Sequence, residues 1–329
     1  MIITQTPLRI SFVGGGSDLP AFYQQEVGAV VSTTINKYIY ITVNPKFDDK
    51  IRVSYSRTEI VDHVDELQHE LVREALRLVG IDRGIEITSI SDIPSRGTGL
   101  GSSSAYTVGL LNALYVHKES QVMMPERLAR EACIIEIEKC GRPIGRQDQY
   151  ISAHGGLRFL QFNPDGTVYA APIFCELGTR LALSRGLMLF YTGIQRDADP
   201  ILADQSRNIL LDDEKRAGVR EMVELAYQLR EALLRNDLGG FGEVLHAGWM
   251  RKRELADGIA TPEIDEWYER ARKHGAIGGK ILGAGGGGFL LLYAPPERHM
   301  EIRRELSELV PVDFSFANQG SKLVYVGSN

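Results

Sequence analysis

The stretch that most constrains this chain is Pro94-Ser95-Arg96-Gly97-Thr98-Gly99-Leu100-Gly101-Ser102-Ser103-Ser104-Ala105. An apolar, β-branched run over 85–93 leads into it, and Val108, Leu111, Leu114 and Tyr115 recur at helical spacing beyond it. The pattern predicts strand, glycine loop, helix. Glycines at 97, 99 and 101 let backbone approach a ligand closely, and Ser102 to Ser104 place hydroxyls where a helix N-cap is wanted. Unpaired amides and the positive end of the helix dipole would face whatever the loop holds. This makes it a candidate anion site, with phosphate the natural occupant. An ordinary Gly/Ser connection shares the same sequence, and the loop alone does not separate the two.

At 329 residues the chain has room for two domains sharing a cleft. Its 43% hydrophobic and 24% charged content are those of a globular protein. A net charge of −6 gives no sign of a nucleic-acid or membrane partner, so a polyanionic ligand needs locally placed Arg or Lys. Cys133, Cys140 and Cys175, odd in number and without a CxxC pair, read as reduced cytoplasmic thiols. The first residues lack a basic segment followed by a long apolar one, so no signal peptide is expected. No apolar run approaches the length of a membrane span.

Residues 2–13 alternate and are rich in β-branched types, with Pro7 breaking them into a short strand or a pair before the turn Gly14-Gly15-Gly16-Ser17-Asp18. Strands are expected over 28–45 and 51–55, a helix over 65–79 closed by Gly80, and another over 125–140 stopped by Gly141. Asn163-Pro164-Asp165-Gly166 marks a hairpin between 157–162 and 167–173. After a strand over 186–192, residues 200–273 carry helical pattern, interrupted near 236–240 and at Thr261-Pro262. A glycine-rich run to Phe289, a strand over 290–293, a helix over 296–309 and two short strands complete the chain. This order predicts an α+β protein of two domains, 1–175 and 176–329.

Several nucleotide folds are excluded. GxxxxGK[ST] is absent, since His274 stands where the first glycine before Gly279-Lys280 should be and Ile281 follows. Gly283 to Gly288 satisfies GxGxxG but runs into a strand, not a helix. Neither HRD nor DFG occurs. Three stretches instead resemble the signature motifs of the GHMP kinases, which include galactokinase, homoserine kinase, mevalonate kinase and phosphomevalonate kinase. They are Pro7-Leu8-Arg9-Ile10-Ser11-Phe12-Val13-Gly14-Gly15-Gly16-Ser17-Asp18, then Pro94 to Ala105, then Lys280 to Phe289, in order and spanning nearly the whole chain. Within that family, Gly14 to Asp18 and Pro143-Ile144-Gly145-Arg146-Gln147-Asp148-Gln149-Tyr150 are similar to bacterial kinases of heptose phosphates.

The resemblance implies an active site in the cleft between the domains, with ATP as donor and Mg²⁺ as cofactor. It further implies phosphorylation of the C1 hydroxyl of D-glycero-D-manno-heptose 7-phosphate to the 1,7-bisphosphate. Another sugar, a mevalonate-type alcohol, or a silent nucleotide- or sugar-binding regulator are the alternatives. The expected partners are ATP and a small sugar or sugar phosphate, with a homodimer left open.

The resemblance also assigns residues. Pro94, Gly97, Gly99, Leu100, Gly101, Ser102, Ser103 and Ser104 would hold the nucleotide, with Ser103 also a Mg²⁺ ligand. The second ligand is Glu136 or Glu138. Glu136 shares a helical face with Ala129, Ala132, Cys133 and Cys140, and a carboxylate on an apolar face needs a buried partner. Glu136 is therefore the candidate, an arginine in the core being the other partner it could have. Asp148 matches the family's catalytic aspartate and Arg9 the basic residue of the first motif. From the residues alone, Asp148 reads equally as a helix cap or surface ion pair, and Arg9 as an exposed strand residue. Gly16, Ser17 and Asp18 would bind the sugar, and the absence of a Glu-His pair in this turn argues against galactose. Gly285 and Gly286 would bring backbone near the substrate, and Arg196, Lys280 or Arg146 would pair with a phosphate on the acceptor.

Overall fold

The structure is a computed structural model that describes residues 1–94 and 97–327. Ser95 and Arg96 of the expected glycine loop lie outside the described residues.

Strand β1 (Ile2–Val13) is half-buried on alternate residues at first and then buried throughout. It is one strand, not a pair. Pro7 sits where pairing with β2 (Gly28–Pro45) shifts register, so the ladder bends at the residue that has no N–H to give. Helix α1 (Pro20–Tyr23) lies between them, and β3 (Ile51–Ser54) and β4 (Thr58–Val61) follow, β4 having been unforeseen. Helix α2 (Glu70–Val79) begins later than expected, because Val64–Glu66 forms a separate 3₁₀ turn and His69 accepts from the Val72 N–H at 3.5 Å. Gly80 closes α2 at φ +74°, as the sequence suggested.

Strand β5 (Ile85–Ser91) leads to the glycine loop and helix α3 (Ser102–Glu119). Helix α3 is buried on nearly every face, as expected of a helix with no polar stripe. Helix α4 (Pro125–Cys133) runs on as a π-helical turn, Ile134–Lys139, before helix α5 (Gln147–His154) and the hairpin β6 (Leu157–Phe162) and β7 (Val168–Pro172). Then come α6 (Leu177–Gly186), not anticipated, and β8 (Leu187–Tyr191). The helical stretch comprises α7 (Asp199–Leu211), α8 (Asp213–Leu234), α9 (Phe241–Lys252) and α10 (Pro262–Lys273). The chain finishes with β9 (Gly278–Ile281), β10 (Phe289–Tyr293), α11 (His299–Glu305), β11 (Val310–Pro311), β12 (Phe316–Ala317) and β13 (Lys322–Val326).

Among the described residues, nine strands form one sheet in the order β13-β1-β2-β5-β3-β4, with β6 and β12 also on β2 and β7 on β6. Four antiparallel strands form the other, β11-β8-β10-β9. The chain's end crosses the division expected at residue 175, since β12 and β13 pair with β2 and β1 of the first sheet. The two halves meet where Phe12 of β1 stands edge-on to Phe241 of α9, ring centroids 5.3 Å apart. That contact carries the far end of α9 towards the glycine loop. No helix among the described residues is long and apolar enough to cross a membrane.

Candidate active site

Gly97, Gly99 and Gly101 take φ of +67°, +74° and +75°, which L side chains rarely adopt. A Cβ at Gly99 would also collide with the Leu282 carbonyl, and one at Gly283 with Gly99 itself, so the second glycine run braces the first. The cap of α3 is Gly101, not a serine. Ser102 to Ser104 instead form the first helical turn, where their amides lack intrahelical acceptors. This turn opens on a cavity of about 1060 Å³ lined by Gly97, Thr98, Gly99 and residues 101–104. Two expected loop residues are not on its wall. Pro94 is exposed, and Leu100 is buried with its carbonyl accepting the Arg9 N–H at 3.0 Å. Gly285 lines the cavity, whereas Gly286 lies behind it with its N–H on the Ile259 carbonyl at 2.9 Å.

Glu136 is fully buried in the π-helical turn, while Glu138 is exposed. Among the described residues its partners are not arginines. The Ser103 hydroxyl donates to Oε1 at 2.5 Å and the Gln149 amide to Oε2 at 2.7 Å. Burial pushes the Glu136 carboxyl above the usual range, opposed by hydrogen bonds from Ser103, Ser104 and Gln149.

Arg9, 4% exposed, is not the surface strand residue its sequence allows. Its Nε and Nη2 donate to the two Asp148 oxygens at 2.7 and 2.6 Å, and Nη1 donates to the Gly99 carbonyl. This bidentate fork fixes the carboxylate's orientation. Asp148 lies in the first turn of α5 without capping it, and its side chain keeps 21% exposure at the cavity wall.

Beside this pair, the turn after β1 supplies Asp18. It accepts from the Gly16 N–H at 3.0 Å and the Gln147 N–H at 3.3 Å. Burial raises its carboxyl, the Gly16 hydrogen bond opposes that, and the charge of Asp148 adds to it. Ser17 is not at the cavity. Its hydroxyl donates to the Gly14 carbonyl at 2.7 Å and accepts from the Ala29 N–H at 3.0 Å, tying the turn to β2. Gly16 lines the wall, where a Cβ would strike the Gln205 amide, and Gln205, 1% exposed, has its Nε2 unpartnered among the described residues. The Gln147 Oε1 is likewise buried and, among the described residues, unpartnered at the same wall.

Lys252, at the end of α9, also lines the cavity and donates to the Gly283 carbonyl at 2.5 Å. Neither Lys252 nor Gln205 was singled out from sequence. A faint signal existed: Gln205 lies four residues from both Ile201 and Ile209, and Lys252 follows Leu245, Gly248 and Trp249 on one buried face. Of the three cations proposed for an acceptor phosphate, Arg196 alone lines the cavity. Arg146 turns away to the Gly166 carbonyl at 2.7 Å and the Tyr23 ring, and Lys280 is buried in β9 with its Nζ 3.3 Å from the Phe12 carbonyl. His69 stacks on Tyr106 with centroids 5.3 Å apart, and both residues line the cavity.

The arrangement joins an anion-binding helix terminus to an oriented carboxylate in one cavity, as a phosphoryl-transfer enzyme requires. The family GHMP kinases N terminal domain matches residues 66–156, and GHMP kinases C terminal matches 229–312, together more than half of the chain. The chain belongs to the GHMP kinase family and is an ATP-dependent kinase. The D-glycero-alpha-D-manno-heptose 7-phosphate kinase of Campylobacter jejuni is 28% identical over 338 residues, covering 98% of each chain. The bifunctional fucokinase/GDP-fucose pyrophosphorylase of Arabidopsis thaliana is 26% identical over 95% of this chain, which spans 32% of that protein. The crystal structure of a D-glycero-D-manno-heptose 1-phosphate kinase from Bacteroides thetaiotaomicron shares the fold along both whole chains, with a TM-score of 0.82 at 23% identity.

Proposed function

We propose that this enzyme transfers the γ-phosphoryl group of ATP to the C1 hydroxyl of D-glycero-D-manno-heptose 7-phosphate, giving the 1,7-bisphosphate. The observation that carries this reading is the Arg9–Asp148 pair facing the same cavity as the first turn of α3. The similarity to the Campylobacter jejuni enzyme along both chains supports the choice of acceptor.

In this reading the amides of residues 102–104 and the positive φ glycines cradle the triphosphate. Asp148, held by Arg9, receives the proton of the acceptor hydroxyl. Glu136 and Ser103 fit a Mg²⁺ ion: a buried carboxylate with no cationic partner among the described residues faces a hydroxyl, both hard oxygen donors, and a pair of protein ligands suits an ion that keeps water and phosphate oxygens. Bound there, the ion would offset charge on the phosphates. Asp18, Gln147 and Gln205 have the acceptors and donors to read sugar hydroxyls around Gly16. Arg196, exposed at the wall, is placed to pair with a phosphate on the sugar. Reliance on ATP and three free cysteines support a cytoplasmic setting.

The test is ADP release with Mg²⁺ and ATP against heptose 7-phosphate, mannose, galactose, fucose, mevalonate and homoserine. Turnover with heptose 7-phosphate alone is the expected result. Turnover with another acceptor would replace the substrate, and silence across the panel despite ATP binding would point to a regulator.

A further inference from the structure

Phosphoryl transfer spreads negative charge over the oxygens of the moving group, so cationic donors aimed at those oxygens lower the barrier. Arg9 is the cation nearest the carboxylate, yet each of its three nitrogens already has an acceptor, two on Asp148 and one on the Gly99 carbonyl. Paired in this way it orients Asp148 and adds little net charge to the cavity.

Lys252 is placed differently. It reaches in from α9, is 6% exposed, and donates one hydrogen bond, to Gly283. That carbonyl belongs to the residue packed against Gly99, so the ammonium is anchored to the back of the phosphate loop. An ammonium has three donors, and no other acceptor is bonded to it among the described residues. The charged groups around it are Asp18 from the turn after β1, Arg9 from β1, Asp148 from α5 and Lys280 from β9. Arg9 already neutralises Asp148, leaving Lys252 as a compact charge with donors to give.

We propose that Lys252 is the cationic residue that contacts the oxygens of the phosphoryl group in transit, from the opposite half of the chain to Asp148. The acceptor oxygen forms its bond to the γ-phosphorus as the bond to the β,γ-bridging oxygen breaks, its electron pair leaving with ADP. The acceptor's proton passes to Asp148, and Lys252 keeps its own protons while donating to the non-bridging oxygens. The proposal rests on transfer taking place at Asp148, as read above.

Burial pulls the Lys252 ammonium down to about 8, with Asp18 and Asp148 opposing and Arg9 assisting. Rising pH therefore removes its charge within an accessible range. The experiment compares wild type, Lys252→Met and Lys252→Arg by steady-state turnover across neutral and alkaline pH, nucleotide affinity for a non-hydrolysable ATP analogue, and thermal unfolding. Lys252→Met should lose about a hundredfold or more in kcat, with nucleotide affinity and unfolding temperature near wild type. Wild-type kcat/KM should fall as pH rises through about 8, the limb should be absent from Lys252→Met, and Lys252→Arg should restore part of kcat. Turnover of Lys252→Met close to wild type, with the alkaline limb intact, overturns the proposal. If Lys252→Met does not fold, Lys252→Arg decides. An alkaline limb displaced upward supports the proposal, because a guanidinium keeps its proton, and an unmoved limb overturns it. Failure of the underlying site reading looks different: Asp148→Asn would then keep its turnover.

Discussion

Where residues 97–104 meet Gly283, the cavity wall is backbone; where Arg9, Asp18 and Lys252, all buried, meet the half-buried Asp148, it is ionisable side chains. The first end holds its shape because glycines occupy conformations and spaces that no other residue fits. The second holds its shape because each ionised group has a directed partner, as in the Arg9–Asp148 fork. A backbone surface suits a ligand common to a whole family, whereas a surface of side chains can be retuned for each acceptor. The Ser103–Glu136–Gln149 chain joins the two ends, since α3 starts at the loop and α5 carries both Gln149 and Asp148.

If the two ends are separable in this way, damage to one should spare the other. The largest effect is expected from Asp148→Asn, which should lower kcat by about two to four decades while ATP affinity, read by equilibrium binding, stays near wild type. Loss of ATP affinity instead would break the division. Gly99→Ala should act on the opposite end. Strained φ and the clash with Leu282 should cost about 3 kcal/mol of stability by denaturant unfolding, and ATP binding should weaken with it. Ser17→Ala sharpens the comparison within the turn. It leaves the buried Ala29 N–H without its partner, so stability should fall by about 2 kcal/mol while the acceptor KM is unchanged. A raised KM would return Ser17 to the sugar site. The smallest effect is expected from Gln205→Ala, a rise of about tenfold in acceptor KM with the KM for ATP unaltered.

The same contrast explains what could be read from the sequence. Positive φ favours glycine, so the loop and the stops at Gly80 and Gly141 are legible as residue types, whereas the packing of Gly283 on Gly99 is not. Glu136 was separable from Glu138 because the apolar face of α4 carries into the π-helical turn, although the turn itself has no sequence signature. Serine chemistry suits a cap, whereas a left-handed Gly101 takes that position and puts Ser102 to Ser104 inside the helix. Side-chain direction was beyond reach. Ser17 turned inward to backbone, Arg146 turned to the β6–β7 hairpin, and Lys280 fell inside β9, a strand whose Gly278-Gly279 start has little β propensity. Lys252 and Gln205 sit on helices that approach the cavity only through long-range packing, which one-dimensional pattern does not carry.

The most direct test of the account is to identify the product. Enzyme, Mg²⁺, ATP and heptose 7-phosphate should yield ADP and, by phosphorus NMR with coupling to the sugar protons, a second phosphate on C1 in amount equal to the ADP. Inorganic phosphate in place of a new sugar ester, or a phosphate on a carbon other than C1, would contradict the assignment.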